Sequence, residues 1–120
     1  CYAAMTKGTT ALAVELLVAA RRLGVEQALE KELRESRNDV FEWQVKSIAS
    51  MPPKAYRWVP EMQEIAKTFE ELGMTRRIFD GATDIYQMVA ATALGKESPE
   101  QARKMGRTGL DVTRELADGK

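Results

Sequence analysis

The chain lacks histidine, has almost no cysteine and has no excess of charge of either sign. Without histidine it cannot contain a Ser-His-Asp triad, a histidine general base or a histidine-ligated metal site. Its single cysteine, Cys1, excludes an intrachain disulfide and favours a reducing, cytoplasmic location. Lys and Arg number 18, as do Asp and Glu. We therefore expect no broad basic face and no nucleic-acid partner.

Long hydrophobic runs are also missing. The most apolar stretch, residues 11–20, is interrupted by Glu15 and followed by Arg21 and Arg22. A membrane-spanning helix needs about 20 apolar residues, so we expect a buried core helix and no membrane partner. No secretory signal is visible. The sequence opens with what resembles the interior of a helix, without a capping residue, which predicts that residue 1 lies within a longer protein.

The remaining composition is that of one globular domain. The chain has 120 residues, of which 44% are hydrophobic and 30% charged, enough for a single core. Strand-like alternation is absent, whereas apolar residues recur at helical spacing. The sequence predicts an all-α bundle of about five to six helices, with residues 1–95 as its core and residues 96–120 as a peripheral C-terminal helix.

Capping residues and apolar periodicity place the individual helices. The first helix should be apolar on most faces and central, and Ile78 should point inward from the fifth. A loop should occupy residues 36–38, Asp39 and Glu42 should form a capping box, and Pro60 should be the first residue of the fourth helix. The predicted helices cover Tyr2–Leu23, Glu26–Glu35, a segment from Asp39 to about residue 50, Pro60–Leu72, Arg76–Leu94 and a polar segment that begins at Ser98.

Lys7 is the first candidate site residue, because it lies on a mostly apolar helix. Burying a lysine is costly unless it is paired or faces a cleft. Thr6 and Gly8 beside it are poor helix formers, which can mark a site or a close contact. The alternative is that Lys7 simply extends to solvent.

The segment from Arg57 to Glu64 provides the second set of candidates. Arg57 could bind a carboxylate through two hydrogen bonds, and Glu61 and Glu64 would lie near a predicted helix start. The alternative is that both acids only complement the helix dipole. The two glutamates are too close in sequence to flank a glycosidic bond as acid and base, and no metal site is expected.

Two stretches resemble a known family in combination. One runs from Tyr2 through the Thr6-Lys7-Gly8 motif to Leu12 and on to Leu23-Gly24-Val25; the other runs from Arg57-Trp58 to Leu72-Gly73. Together they resemble the helical C-terminal domain, a domain of unknown function, of NAD(P)-dependent oxidoreductases related to 6-phosphogluconate and 3-hydroxyisobutyrate dehydrogenases.

The resemblance implies an N-terminal Rossmann domain outside this chain, which would bind NAD or NADP, and a homodimer whose active site lies between domains. It places the family's catalytic lysine upstream of Cys1. The position of the family's asparagine is occupied here by Ala3, and the positions of a family Lys-Asp pair are occupied by Pro60 and Glu61. We therefore expect no catalytic residue within the chain and no nucleotide binding by the chain alone. Substrate binding is expected from Lys7, Arg57, Glu61, Thr6 and Glu64.

The sequence thus predicts the substrate-side and dimerisation domain of an oxidoreductase that acts on a small hydroxy acid. The alternative is a non-enzymatic helical module for dimerisation or ligand binding, in which Lys7, Arg57 and Glu61 have structural roles. A strand followed by a G-x-G-x-x-G loop in the upstream reading frame would favour the enzyme. A different upstream domain would favour the module.

Overall fold

The computed structural model describes residues 1–119 and confirms the all-α prediction. No strand occurs in that range. Short 3₁₀ turns occur at Pro52–Lys54 and at Leu94–Lys96. The helices are α1 (Tyr2–Leu23), α2 (Glu26–Ser50), α3 (Ala55–Glu71), α4 (Arg77–Ala91), α5 (Pro99–Met105) and α6 (Gly109–Ala117).

Helix α1 has the predicted bounds, because Gly24 adopts the left-handed conformation (φ +76°) that ends a helix. One face is buried, including Val14 and Leu17. The helix packs against α2, α3, α4 and α6, as expected of a central helix, but the face that carries Met5 and Leu12 is open, with these side chains 70% and 57% exposed. By length and composition α1 is apolar enough to cross a membrane. This is weak information, since core helices of soluble proteins share these properties.

Helix α2 consists of two helical segments that meet at a kink, where a loop was predicted at residues 36–38. The chain instead kinks at Arg37 (φ −145°, ψ 52°) and resumes helical geometry without a new cap, so the predicted capping box of Asp39 and Glu42 does not form. Arg34 bridges the kink: its guanidinium pairs with Glu30 before it and with Glu42 after it.

Helix α3 begins five residues before the predicted start at Pro60, and this changes the setting of the candidate site. Pro60 lies inside the helix, where it removes one backbone hydrogen bond. Burial of Ala55, which is fully inaccessible, and of part of Trp58 offsets that loss. The helix ends as predicted before Gly73 (φ +79°), and Leu72 is exposed.

Helix α4 packs along α3, with Phe79 stacked on Phe69 at a ring-centroid distance of 5.2 Å. It ends at Ala91, three residues short of the prediction. Tyr86 and Val89 are fully buried. The expectation for Ile78 is wrong, because its side chain is 68% exposed.

The C-terminal segment forms two helices rather than one. Ser98 and Gln101 form the predicted capping box of α5, which ends at Gly106. Helix α6 is not peripheral: Leu110, Val112 and Leu116 are buried, and the helix packs on α1 and α2. Periodic apolar residues and a second capping box, formed by Thr108 and Asp111, explain the difference.

Candidate functional site

An ion pair joins two of the predicted site residues, which lie on different helices. Lys7 Nζ of α1 lies 2.6 Å from Glu61 Oε2 of α3. The side chains are 25% and 36% exposed, so the pair is only partly screened by solvent. Residues 54 positions apart in sequence therefore meet at one partly buried point.

The indole ring of Trp58 lies beside this ion pair. The Nζ atom of Lys7 lies 4.9 Å from the ring centroid of Trp58, and that of Lys54 lies 5.8 Å from the same centroid. Both distances permit cation–π attraction. Lys54 has no carboxylate within 4.0 Å among residues 1–119, so its charge is not neutralised there.

Tyr86 of α4 packs against the indole ring of Trp58. The two rings meet edge to face, with centroids 5.2 Å apart, and the Tyr86 hydroxyl donates to the backbone carbonyl of Lys7. Burial raises the pKa of Tyr86 well above its ordinary value, and the nearby Glu61 carboxylate adds to this. Tyr86 is therefore a protonated donor that fixes α1 against α4, and not a base at neutral pH.

The other predicted site residues are not brought into this cluster by hydrogen bonds or ion pairs. The hydroxyl of Thr6 donates to the carbonyls of Tyr2 and Ala3 at 3.3 and 3.5 Å, within its own helix. Arg57 and Glu64 are exposed, and neither forms an ion pair with another residue of the described range. Because α3 starts at Ala55, Glu61 and Glu64 lie beyond its first turn, which removes the helix-dipole explanation proposed for them.

Lys54 and Tyr86 were not among the predicted site residues, and Trp58 was noted only in the stretch from Arg57-Trp58 to Leu72-Gly73. Lys54, Trp58 and Glu61 are spaced i, i+4, i+7, which places them on one helical face. This pattern was hidden because the helix was predicted to start at Pro60. Tyr86 follows the buried Ala82 by four residues and carried a detectable core signal.

The cluster is suited to holding a negatively charged group. Lys7 and Lys54 contribute two positive charges and Glu61 one negative charge, which leaves a net charge of +1 beside an aromatic surface. No group of three or more potential metal ligands occurs in the described part of the chain. With Tyr86 protonated and Glu61 paired to Lys7, these side chains can bind and orient an anion more readily than transfer a proton.

An apolar cavity lies apart from this cluster. It is an open groove of about 610 Å³ between α1 and α4, lined by Gly8, Gly81 and Ile85 among others, and none of Lys7, Trp58 or Glu61 lines it. The charged cluster and the apolar groove are therefore two separate surfaces on either side of α1.

A family profile described as "Domain of unknown function (DUF1932)" matches residues 20–89. The match includes Lys54, Trp58, Glu61 and Tyr86, whereas Lys7 lies before it. A comparison with curated proteins gives no match, and a comparison with solved structures gives none either. Since the profile covers more than half of the chain, this protein belongs to the DUF1932 family.

Proposed function

We propose that this chain is the substrate-side and dimerisation domain of an NAD(P)-dependent oxidoreductase that acts on a small hydroxy acid. Domains of this family are known as the C-terminal helical domains of NAD(P)-dependent dehydrogenases. The observation that carries the proposal is the meeting of Lys7, Glu61 and Lys54 around Trp58. A cytoplasmic location is part of the same proposal.

In this proposal the substrate carboxylate binds between the two lysine ammonium groups. Lys54 supplies a charge that no carboxylate neutralises, and Glu61 holds Lys7 in place by the 2.6 Å contact. Charge-assisted hydrogen bonds from an ammonium group to a carboxylate are the stronger kind. Arg57, Thr6 and Glu64 would contact the substrate only from the rim of the site.

The residues of this chain do not fit a dinucleotide. Pyrophosphate is commonly bound by a glycine-rich loop between a strand and a helix N-terminus, and residues 1–119 contain no strand. The proposal therefore assigns NAD or NADP to a domain outside this chain, and assigns to these residues only the binding and orientation of substrate.

Tryptophan fluorescence can test anion binding at this site. Trp43 and Trp58 are the two tryptophans, so a Trp43→Phe background leaves Trp58 as the only reporter. Titration with lactate, glycerate and 3-phosphoglycerate, at constant ionic strength, is expected to change its emission saturably. Lys54→Gln should weaken binding about 10-fold, because the loss of one charge-assisted hydrogen bond costs about 1.5 kcal/mol.

Two comparisons make this experiment decisive. Lys46→Gln removes an exposed lysine of α2 and should leave binding unchanged. Lys7→Gln should weaken binding, with circular dichroism used to check that the fold persists. No saturable change with any of the three acids, or equal binding by the Lys46→Gln and Lys54→Gln proteins, would overturn the proposed site and favour the non-enzymatic module.

A further inference from the structure

Helices α1 and α4 leave an apolar groove that nothing in the described chain fills. Its floor is made of small residues, including Ala4, Gly8 and Gly81, within a volume of about 610 Å³. Large apolar side chains stand along it, with Met5 70% and Ile78 68% exposed. Exposed apolar surface of this extent marks an interaction site.

Both helices carry the spacing of a helix-packing seam. On α1 the residues lining the groove include positions 5, 8, 12 and 15, and on α4 positions 78, 81 and 85. Alternating steps of three and four residues keep side chains on one side of a helix, as they do where helices pack together. The groove is therefore shaped for another α-helix.

Packing within the chain does not explain why residue 81 is a glycine. It lies in the interior of α4, is exposed, and a Cβ atom placed there would have no heavy atom within 4 Å. Glycine weakens a helix interior relative to alanine. Gly8 differs, because a Cβ at that position would lie 3.1 Å from the ring of Phe79. A close approach from outside the chain would account for Gly81.

We propose that this groove is the interface between two copies of the chain, with α1 and α4 of each packing against α1 and α4 of the other. This identifies the surface for the dimerisation part of the proposed function, on which it rests. The same face carries both a groove and protruding apolar side chains, so it can complement itself across a two-fold axis. The net charge of zero gives two copies no overall repulsion.

The size of the surface favours a protein partner over a small ligand. From Tyr2 to Leu16 the exposed apolar side chains follow about 21 Å of helix at 1.5 Å per residue. Four side chains of α1 and one of α4 expose on the order of 600 Å² together, at roughly 200 Å² for a full side chain, which approaches the roughly 800 Å² per partner of a stable interface. The five are Tyr2, Met5, Leu12, Leu16 and Ile78, each at least half exposed. Glu15 is the charged residue among those lining the groove and is exposed at its margin.

Sedimentation velocity of the full chain, from about 1 to 200 μM, tests the proposal. The monomer mass is 13.4 kDa, and the expected result is a shift to twice that mass as concentration rises. Ile78→Glu should weaken association by at least about 30-fold, the effect typical of a central interface residue. Met105→Glu is the matched control, since Met105 is 61% exposed on α5, and it should associate normally.

Gly81→Leu gives two effects of opposite sign. It should raise the melting temperature of dilute protein, because leucine favours the helix, and it should weaken association, because the side chain fills the groove. A monomer at every concentration would overturn the proposal. A dimer that Ile78→Glu and Gly81→Leu leave intact would also overturn it. Binding of the chain to phosphatidylcholine vesicles through this face, in place of self-association, would overturn it as well. Loss of anion binding by the Lys54→Gln protein would not change these masses, so failure of the substrate site and failure of the interface are distinguishable.

Discussion

Replacing Gly109 by alanine should separate two helices that touch through their backbones. Gly109 is buried at the start of α6, and a Cβ atom there would lie 2.2 Å from the carbonyl oxygen of Val45 in α2. A carbon and a carbonyl oxygen normally approach to about 3.3 Å, so α6 must retreat by about 1 Å. Because the obstacle is backbone, no rotamer change can relieve it.

The expected loss follows from what α6 buries. Leu110, Val112 and Leu116 pack into the core, and each contributes about 1.5–3 kcal/mol by burial. A gap of up to about 1 Å forfeits a quarter to a half of the contact energy on the affected side. After allowing for the stiffer alanine backbone, which returns less than about 1 kcal/mol, the net destabilisation is about 2 kcal/mol. For a chain of this size that lowers the Tm by roughly 8 °C.

Thermal and urea unfolding, followed by far-ultraviolet circular dichroism in dilute protein, measure this loss. Gly81→Ala is the matched control: the same chemical change in an open helix interior should raise stability by about 0.5–1 kcal/mol. If Gly109→Ala is as stable as the parent protein, or changes in the same direction as Gly81→Ala, the inferred backbone contact between α2 and α6 is wrong.

Three further results are expected. Arg114→Met should lower the free energy of unfolding by about 2 kcal/mol, because Arg114 pairs at 2.6 Å with Glu26, which is 7% exposed and whose other carboxylate oxygen is buried without a partner. In urea unfolding, adding Glu26→Gln should restore part of this stability, and no recovery would contradict the pairing argument. Arg107 donates two hydrogen bonds to Glu97, at 2.7 and 3.0 Å, and lowers the pKa of that carboxyl below its ordinary 4.5. The pair should therefore stabilise the fold fully above pH 4.5 and less as the pH falls through the lowered pKa. An identical acid-unfolding profile for Glu97→Gln would refute this. The purified 120-residue chain should not oxidise hydroxy acids with NAD or NADP, as absorbance at 340 nm would show, and any turnover would refute the assignment of the nucleotide to another domain.

Local sequence signals predicted most of the helix boundaries correctly. Gly24 and Gly73 end helices as expected, since both have positive φ angles, and the Ser98 capping box forms. The deviations at residues 36–38 and at Pro60 differ in kind. The backbone does leave helical geometry at Arg37, but as a kink rather than a loop, whereas at Pro60 tertiary packing extends α3 upstream of a residue whose local preference is to begin a helix.

The candidate site was predictable only in part. Lys7 stood out as a charged residue on a mostly apolar helix and Glu61 as an acid near a predicted helix start, and the structure brings the two together. Lys54 did not stand out, because its role depends on the position of the Trp58 ring, which is set by Tyr86 from a third helix. Contacts between three helices are not encoded in the periodicity of any one of them.

The kink in α2 divides one helix into two units that should open independently. Before Arg37 the buried side chain of α2 is Glu26, whereas after it Phe41 and Ile48 are buried. Amide hydrogens of residues 27–36 should therefore exchange with solvent through local opening, and those of residues 41–48 only through global unfolding. Arg34 joins the two units through Glu30 and Glu42, so Arg34→Ala should speed exchange in the first unit while leaving the second protected.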